Sequence, residues 1–306
     1  MYKYLTIFLL TTCFLLLTSN ACAQQVSVGI FPPAVEVVAS GGHDFDLTFV
    51  LQNKSDPAIY QIRLEPFGGS NGGPFEYLLD DKKIADYQAF FLAPGQKKQI
   101  NLHVRVPQDT PEGDYYLKFV AQSQPAVQAD QSQALISTGV ASKILISVTH
   151  DGTLEVSPKM TRFSLLGGQK LSFFGHDFYL VDAGTSLPLA MSIANEGRNF
   201  FHAQGTLSVN RLLGQVDPFE IPQQVILAHS AATVATKGGD SVGTSTTVLP
   251  TSWPGFYAAS AAVNFGPGTP TLFASATYVV FPIKLLGVIF IVLILFLSYK
   301  KYRPRG

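Results

Sequence analysis

Apolar and polar residues alternate with a period of two over long stretches of this chain. Phe45, Leu47, Phe49 and Leu51 fall on one face of a run whose other face carries Asp46, Thr48 and Val50. Ile100, Leu102, Val104 and Val106 alternate in the same way with Asn101, His103 and Arg105. Successive side chains of a β-strand point to opposite faces, so both runs predict half-buried strands. Further strands are predicted over Ile59–Leu64, Tyr115–Val120 and Lys143–Val148. Turn chemistry separates them. Asn53-Lys54-Ser55-Asp56-Pro57 closes the first strand, Leu92-Ala93-Pro94-Gly95-Gln96 is a tight turn, and Asp109 to Asp114 makes another. Asn and Asp bond to their own backbone, and Pro ends a strand.

The second half repeats the plan. Leu47 to Asn53 lines up with Leu189 to Asn195, and both segments end in Asn followed by a polar turn. Gln61 and Leu64 match Gln204 and Leu207, and Gly113-Asp114-Tyr115 matches Gly255-Phe256-Tyr257. The order and spacing of these landmarks argue for two copies of one domain type. Tyr115 and Tyr257 read as tyrosine corners, in which a ring packs near the start of a late strand and its hydroxyl returns to backbone. Asn53, Pro94, Gly95, Gly113, Tyr115, Asn195, Gly255 and Tyr257 are therefore expected to shape turns rather than to touch a ligand.

Two segments break the strand pattern. Lys3 precedes an apolar run from Leu5 to Leu17, and small residues at Ala21 and Ala23 form a cleavage pattern. That combination reads as a secretory signal ending near Ala23. Cys22 invites a lipoprotein reading, but Ser19 stands where a lipobox wants a large aliphatic residue. Near the other end, Leu285 to Leu297 is apolar or Gly throughout. Extended back through Tyr278–Ile283 and on to Ser298, it reads as a membrane-spanning helix, with Lys284 snorkelling to the headgroups. Lys300, Lys301, Arg303 and Arg305 follow, which predicts a cytoplasmic C-terminus and an extracellular N-terminus.

The fold class expected is all-β: two tandem immunoglobulin-like β-sandwiches followed by a single transmembrane helix. The expected divisions are a signal peptide at 1–23, a first domain at 24–150, a second at 151–278, the helix at 279–298 and a basic tail at 299–306. Cys13 and Cys22 are the two cysteines, and both precede the cleavage point. A mature chain without cysteine relies on its apolar core, and cysteine catalysis and Cys-ligated metals are excluded. The 21 basic and 21 acidic residues balance, and no basic stripe is present, so nucleic acid is discarded as a partner.

No catalytic, metal or cofactor motif stands out. The histidines at 43, 103, 150, 176, 202 and 229 show no metal-ligand spacing. Gly68 to Gly73 is Gly-rich but lacks the Lys of a phosphate loop, and Asp80-Asp81 beside Lys82-Lys83 reads as a solvated loop or short helix. Ala231 to Thr247 holds few large apolar residues and reads as a mobile loop. The best candidate for recognition is the long insertion from Pro74 to Phe91, with Phe75, Tyr77, Tyr87, Phe90 and Phe91. Aromatic rings anchor interfaces and stack on sugar faces, and they also cover sandwich edges.

Asn53 with its polar turn, Leu92-Ala93-Pro94-Gly95-Gln96, and Val106-Pro107 through Pro111-Glu112-Gly113-Asp114-Tyr115-Tyr116 together resemble Ig-like domains of bacterial surface proteins. Across the whole chain the order of segments is similar to that of the WxL-interacting protein family. The second domain contributes its Asn195-Glu196-Gly197 turn and Leu227-Ala228. The resemblance implies a cell-surface adhesion role, with a peptidoglycan-binding first domain and a protein- or host-binding second domain. The expected partners are cell-wall glycan, another exported surface protein, or both, with the helix in the membrane. A second class is a chaperone-like or assembly subunit that pairs with other exported proteins by β-edge addition. A glycan-acting enzyme is the third.

Overall fold

The computed structural model describes residues 27–125, 138–173, 175–211, 214–236, 246–266 and 268–302. The predicted signal segment, both cysteines, Arg303 and Arg305 lie outside the described residues. The protein is all-β and divides into two compact, sandwich-like units. The first takes in residues up to Thr110 together with Tyr115–Ile146, and the second takes in Pro111–Asp114 and everything from Ser147 onward.

The strands of the first half are β1 (Val28–Phe31), β2 (Ala34–Ala39), β3 (Asp44–Asn53), β4 (Ala58–Pro66), β5 (Glu76–Leu79), β6 (Lys82–Lys83), β7 (Phe90–Leu92), β8 (Lys97–Arg105), β9 (Gly113–Pro125) and β10 (Thr138–Val148). They form two five-stranded sheets, in the orders β1-β3-β8-β5-β6 and β2-β10-β9-β4-β7. The core lies between them. Phe49, Leu51, Ile100, Leu102 and Val104 point inward from β3 and β8, and Tyr60, Phe119, Ile144 and Ile146 from the other sheet. Phe49 stacks on Phe119 with ring centroids 4.2 Å apart, which joins the two layers. Burying such side chains is worth about 1.5–3 kcal/mol each, so the period-two pattern is what makes the sheets pair face to face.

The second half contributes β11 (Pro158–Leu165), β12 (Gln169–Phe173), β13 (His176–Asp182), β14 (Leu187–Asn195), β15 (Phe201–Arg211), β16 (Gly214–Ile226), β17 (Ala231–Thr233), β18 (Thr246–Leu249), β19 (Gly255–Asn264) and β20 (Leu272–Phe281). β11, β14 and β17 form one sheet, with β18 also on β14, and the other runs β12-β13-β20-β19-β15-β16. Its core includes Leu187, Ile193, Leu207, Val209, Val263, Tyr257 and Tyr278. β13 and β20 run parallel, whereas the pairings of β19 with β15 and β20 are antiparallel.

The membrane expectation is corrected here. Residues 278–281, taken in the sequence as the start of the membrane span, belong to β20. Val279 and Val280 pair with Leu180 and Val181 on one side and with Phe256 and Gly255 on the other. The helix that follows, α1 (Ile283–Tyr302), begins only after Pro282. Its first turn is tied to the second unit, with Lys284 Nζ 3.1 Å from Asp182 Oδ2. The apolar run left to it, Leu285 to Leu297, rises roughly 20 Å at 1.5 Å per residue, against a hydrocarbon core of about 30 Å. Among the described residues no helix is long and apolar enough to cross a membrane. The single-pass membrane protein, its outside–inside orientation and the cell-membrane localisation therefore do not stand.

Two smaller expectations also change. Ala231 to Thr247 is not wholly loop, because its ends form β17 and β18 against β14. Thr236 and Thr247 are buried with their hydroxyls 2.9 Å apart. Asp80-Asp81 is a loop, not a helix, and a tighter one than the sequence suggested. Both residues have positive φ, 45° and 65°, and they turn the chain between paired Leu79 and Lys82 as a two-residue hairpin loop.

Candidate functional site

The aromatic insertion of the first unit resolves into two groups and one exposed ring. Phe75 is buried and packs edge-on against Tyr115 at 4.9 Å and Tyr77 at 6.1 Å. Tyr77 donates its hydroxyl to the Gly72 carbonyl at 2.8 Å. Gly73 lies directly against these rings, where an added Cβ would come within 2.7 Å of both Phe75 and Tyr115. At Gly73 the missing side chain lets the backbone pass close to this aromatic cluster. In the second group, Tyr87 lies 6.3 Å from Phe90, and Phe90 lies 6.2 Å from Tyr60. The Tyr87 hydroxyl donates to Asp80 Oδ2 at 2.9 Å, and the Asn101 amide donates to Asp80 Oδ1 at 2.9 Å. Burial pushes the Tyr77 and Tyr87 phenols above their ordinary range, and Asp80 reinforces this for Tyr87. Phe91 stands apart on β7, 54% exposed, opposite the partly exposed Ile59 of β4. The five rings do not converge on one groove.

The turn residues fall into matching places in the two units. Asn53 is fully buried at the end of β3. Its amide nitrogen donates to the carbonyls of Asp56 at 2.8 Å and Leu92 at 3.0 Å, and its side-chain oxygen accepts from the Ser55 amide at 3.1 Å. Asn195 at the end of β14 does the same with Asn199 at 2.8 Å, Ile226 at 3.4 Å and the Gly197 amide at 2.9 Å. Gly95, after Pro94, takes a positive φ of 76° and donates its amide to the Asn53 carbonyl at 2.8 Å. In the second unit the corresponding left-handed position is His229, with φ 51°. Gly113 and Gly255 open β9 and β19 with φ of 141° and 151°. Two residues on, Tyr115 and Tyr257 are both buried. Tyr257 donates its hydroxyl to the Trp253 carbonyl at 2.8 Å, and its ring stacks on Tyr278 at 4.9 Å.

A cavity of about 550 Å³ in the second unit is lined by Glu112, His150, Asp151, Leu154, Glu155 and Arg198, among others. Arg198 Nε donates to Glu155 Oε2 at 2.6 Å, and Glu112 lies 3.7 Å from both Arg198 and His150. Beside it the Asp114 carboxylate accepts from Ser147 Oγ at 2.6 Å, from Asn199 Nδ2 at 2.8 Å and from the Phe200 amide. The charges lining the cavity are thus engaged with one another. Among the described residues no group of three His, Cys, Asp or Glu side chains is placed to hold a metal ion.

What distinguishes the first unit is its sheet edges. An edge strand presents a row of unpaired N–H and C=O groups, and proteins blunt it with Lys, Pro, bulges or brevity. β6 is Lys82-Lys83. In the second unit, edge strand β11 carries Pro158, Lys159 and Arg162 with an irregular register, and β12 carries Lys170 paired to Asp177 at 2.7 Å. β16 carries Pro218 and Pro222 and two register shifts. β17 and β18 carry neither Lys nor Pro but are only three and four residues long. By contrast β2, at one edge of its sheet, reads Ala-Val-Glu-Val-Val-Ala with no Pro, Lys or Arg, and Val38 in it is 53% exposed. β7, at the opposite edge, reads Phe-Phe-Leu. Sequence reasoning named Phe90 and Phe91 but not β2, because edge status follows from strand order and not from the residues themselves.

No family model and no curated protein matches this chain. Among solved structures it is similar to the YadV chaperone, at 10% identity over 82% of this chain and 98% of that one, with a TM-score of 0.40. The Escherichia coli chaperone DraB is similar at 13% identity over 82% and 96%, with a TM-score of 0.39. A Salmonella enterica SafA pilin–SafB chaperone complex gives 13% identity over 84% and 98%, with a TM-score of 0.38. The expected membership of the WxL-interacting family is corrected by these results. No family model matches, and among the described residues no helix is long and apolar enough to be the membrane span of that architecture. Peptidoglycan binding and surface adhesion, which came only from that resemblance, fall with it.

Proposed function

We propose that this chain is an exported, non-enzymatic binding protein that pairs with other exported proteins by β-edge addition, in the manner of an assembly chaperone. The observation that carries the reading is β2. It is the longest edge strand among the described residues without Pro, Lys or Arg, and it bears an exposed valine. An extended segment of a partner would complete its ladder, with main-chain hydrogen bonds giving affinity and alternate side chains giving specificity. The Tyr257 corner and the two paired sheets of each half favour immunoglobulin-like modules as the scaffold. SafB is described in complex with a pilin, a chaperone–subunit pairing of the same general kind.

The test is co-purification of the tagged full chain from cells that export it, with bound proteins identified by mass spectrometry. A discrete exported partner is expected. Lysine on an edge strand deters pairing, so Val38→Lys combined with Phe91→Lys, both at exposed positions, is expected to lose it. Lys159→Ala, on an edge already blocked, is expected to keep it. Recovery of no exported protein, or equal recovery by the doubly blocked variant, overturns the reading.

A further inference from the structure

Strand β7 closes the sheet β2-β10-β9-β4-β7 at the end opposite β2. Among the described residues only its β4 side is paired, through Ala58–Leu92, Ile59–Phe91 and Tyr60–Phe90. The residue before its approach, Tyr87, is already extended, with φ −78° and ψ 111°. A strand added here would continue the alternation of β7. Residues opposite each other in neighbouring strands share a face, so a partner residue facing Phe91 would lie on the outer surface beside Phe91 and Ile59. Both are exposed apolar side chains, at 54% and 36%. The partner residues on either side of it would point the other way, to the rim of the sandwich beside Phe90.

That rim holds a cation. Lys98 Nζ sits 4.0 Å from the centroid of the Phe90 ring and 5.7 Å from that of Tyr87. Lys98 makes no ion pair among the described residues, while the Arg105 and Lys159 heads are matched to carboxylates. An ammonium laid over ring faces is held in place and still offers its other side to an anion. Backbone, outer face and rim therefore specify three different things. They specify an extended chain, an apolar residue, and an acidic residue one position away.

We infer that the β7 edge is a second strand-docking site, and that it selects segments in which apolar and acidic residues alternate, the apolar side chain against Phe91 and Ile59 and the carboxylate against Lys98. The inference rests on the β-edge reading above and adds the place and the sequence preference. The short ladder makes the contact weak and exchangeable, which suits a holder of partners in transit.

The experiment is a backbone-amide NMR titration of the full chain with two end-capped heptapeptides, Thr-Val-Glu-Val-Glu-Val-Thr and Thr-Val-Lys-Val-Lys-Val-Thr. The acidic peptide is expected to shift the Phe90–Leu92 amides and to bind at least about tenfold tighter than the basic one, the size of preference that one matched charge pair supports. Lys98→Gln keeps the stem over Phe90 and is expected to abolish the preference, and Lys98→Glu to reverse it. Phe91→Lys is expected to remove binding at β7, and Val38→Lys to leave it unchanged. Equal binding of the two peptides, or a preference untouched by Lys98→Gln, overturns the inference. Shifts confined to β2 also overturn it while leaving the β-edge reading standing. If neither edge takes either peptide and no exported partner is recovered, the underlying reading fails as well.

Discussion

At the scale of single residues, the fold closes hydrogen bonds around some buried polar groups and leaves the Tyr60 hydroxyl without one among the described residues. Asn53 and Asn195 have their amide groups bonded on both sides in closed turns. Tyr60 is fully buried, yet its hydroxyl has no hydrogen-bond partner among the described residues. A buried donor without a partner keeps its desolvation cost. Tyr60→Phe retains the ring against Phe90 and removes that cost, so it is expected to leave stability unchanged or raise it by about 1 kcal/mol. Urea unfolding of the two proteins checks this, and a loss of similar size would reveal a partner for the hydroxyl. The residue scale is also where sequence reading reached least far. Asn53 and Asn195 were visible as turn markers because Asn repeats at one place in two similar segments. His229 was not, since nothing in a lone histidine announces a left-handed backbone where the first unit uses Gly95. Phe75 and Phe91 look alike in the chain, but one is 8% and the other 54% exposed. That difference is set by strands distant in sequence.

At the scale of elements, the long strands were legible wherever one face is buried, since a period of two then leaves a clean record. β3 and β8 are the clearest cases. The β5–β6 hairpin was not legible, because its turn is two aspartates rather than the usual Asn-Gly, and Asp80 is held by Asn101 and Tyr87 from elsewhere. The junction of β20 with α1 was misread for another reason. A buried strand and the start of an apolar helix have the same composition, and only pairing with β13 and β19 separates them. Asp182 marks that junction. Hydrogen bonding to Lys284 holds its carboxyl below the usual carboxylate range. A carboxyl whose folded pKa is depressed contributes stability above its unfolded pKa, near 3.9, and loses it as pH falls through the folded value. Asp182→Asn is expected to be less stable than the natural protein at neutral pH, with the difference shrinking to nothing in strong acid. Thermal melts across the acid range measure it. A difference independent of pH would assign the effect to packing rather than charge.

At the scale of the whole molecule, tyrosine ionisation reports on both units at once. Burial pushes Tyr77 and Tyr87 in the first unit and Tyr278 in the second above the ordinary phenol range, with the neighbouring Tyr257 adding to the effect at Tyr278. The folded protein then keeps protons that the unfolded chain gives up from about pH 10. Stability is accordingly intact below that pH and falls as pH rises beyond it. Ultraviolet titration is expected to show part of the phenolate signal delayed and then appearing together with loss of structure. Tyrosines that all ionise as in denaturant, with the fold still intact, would contradict the buried environments of these three rings.

The parallel pairing of β13 with β20 has a mechanical consequence. Tension applied to α1 is passed straight to the end of β20 at Phe281, where Gly255, Val280 and Asp182 meet across three neighbouring strands. A tug along the strand axis must slide β20 past both neighbours together, loading many rungs in shear rather than peeling them one by one. The second unit is thereby built to resist being pulled from its helical end.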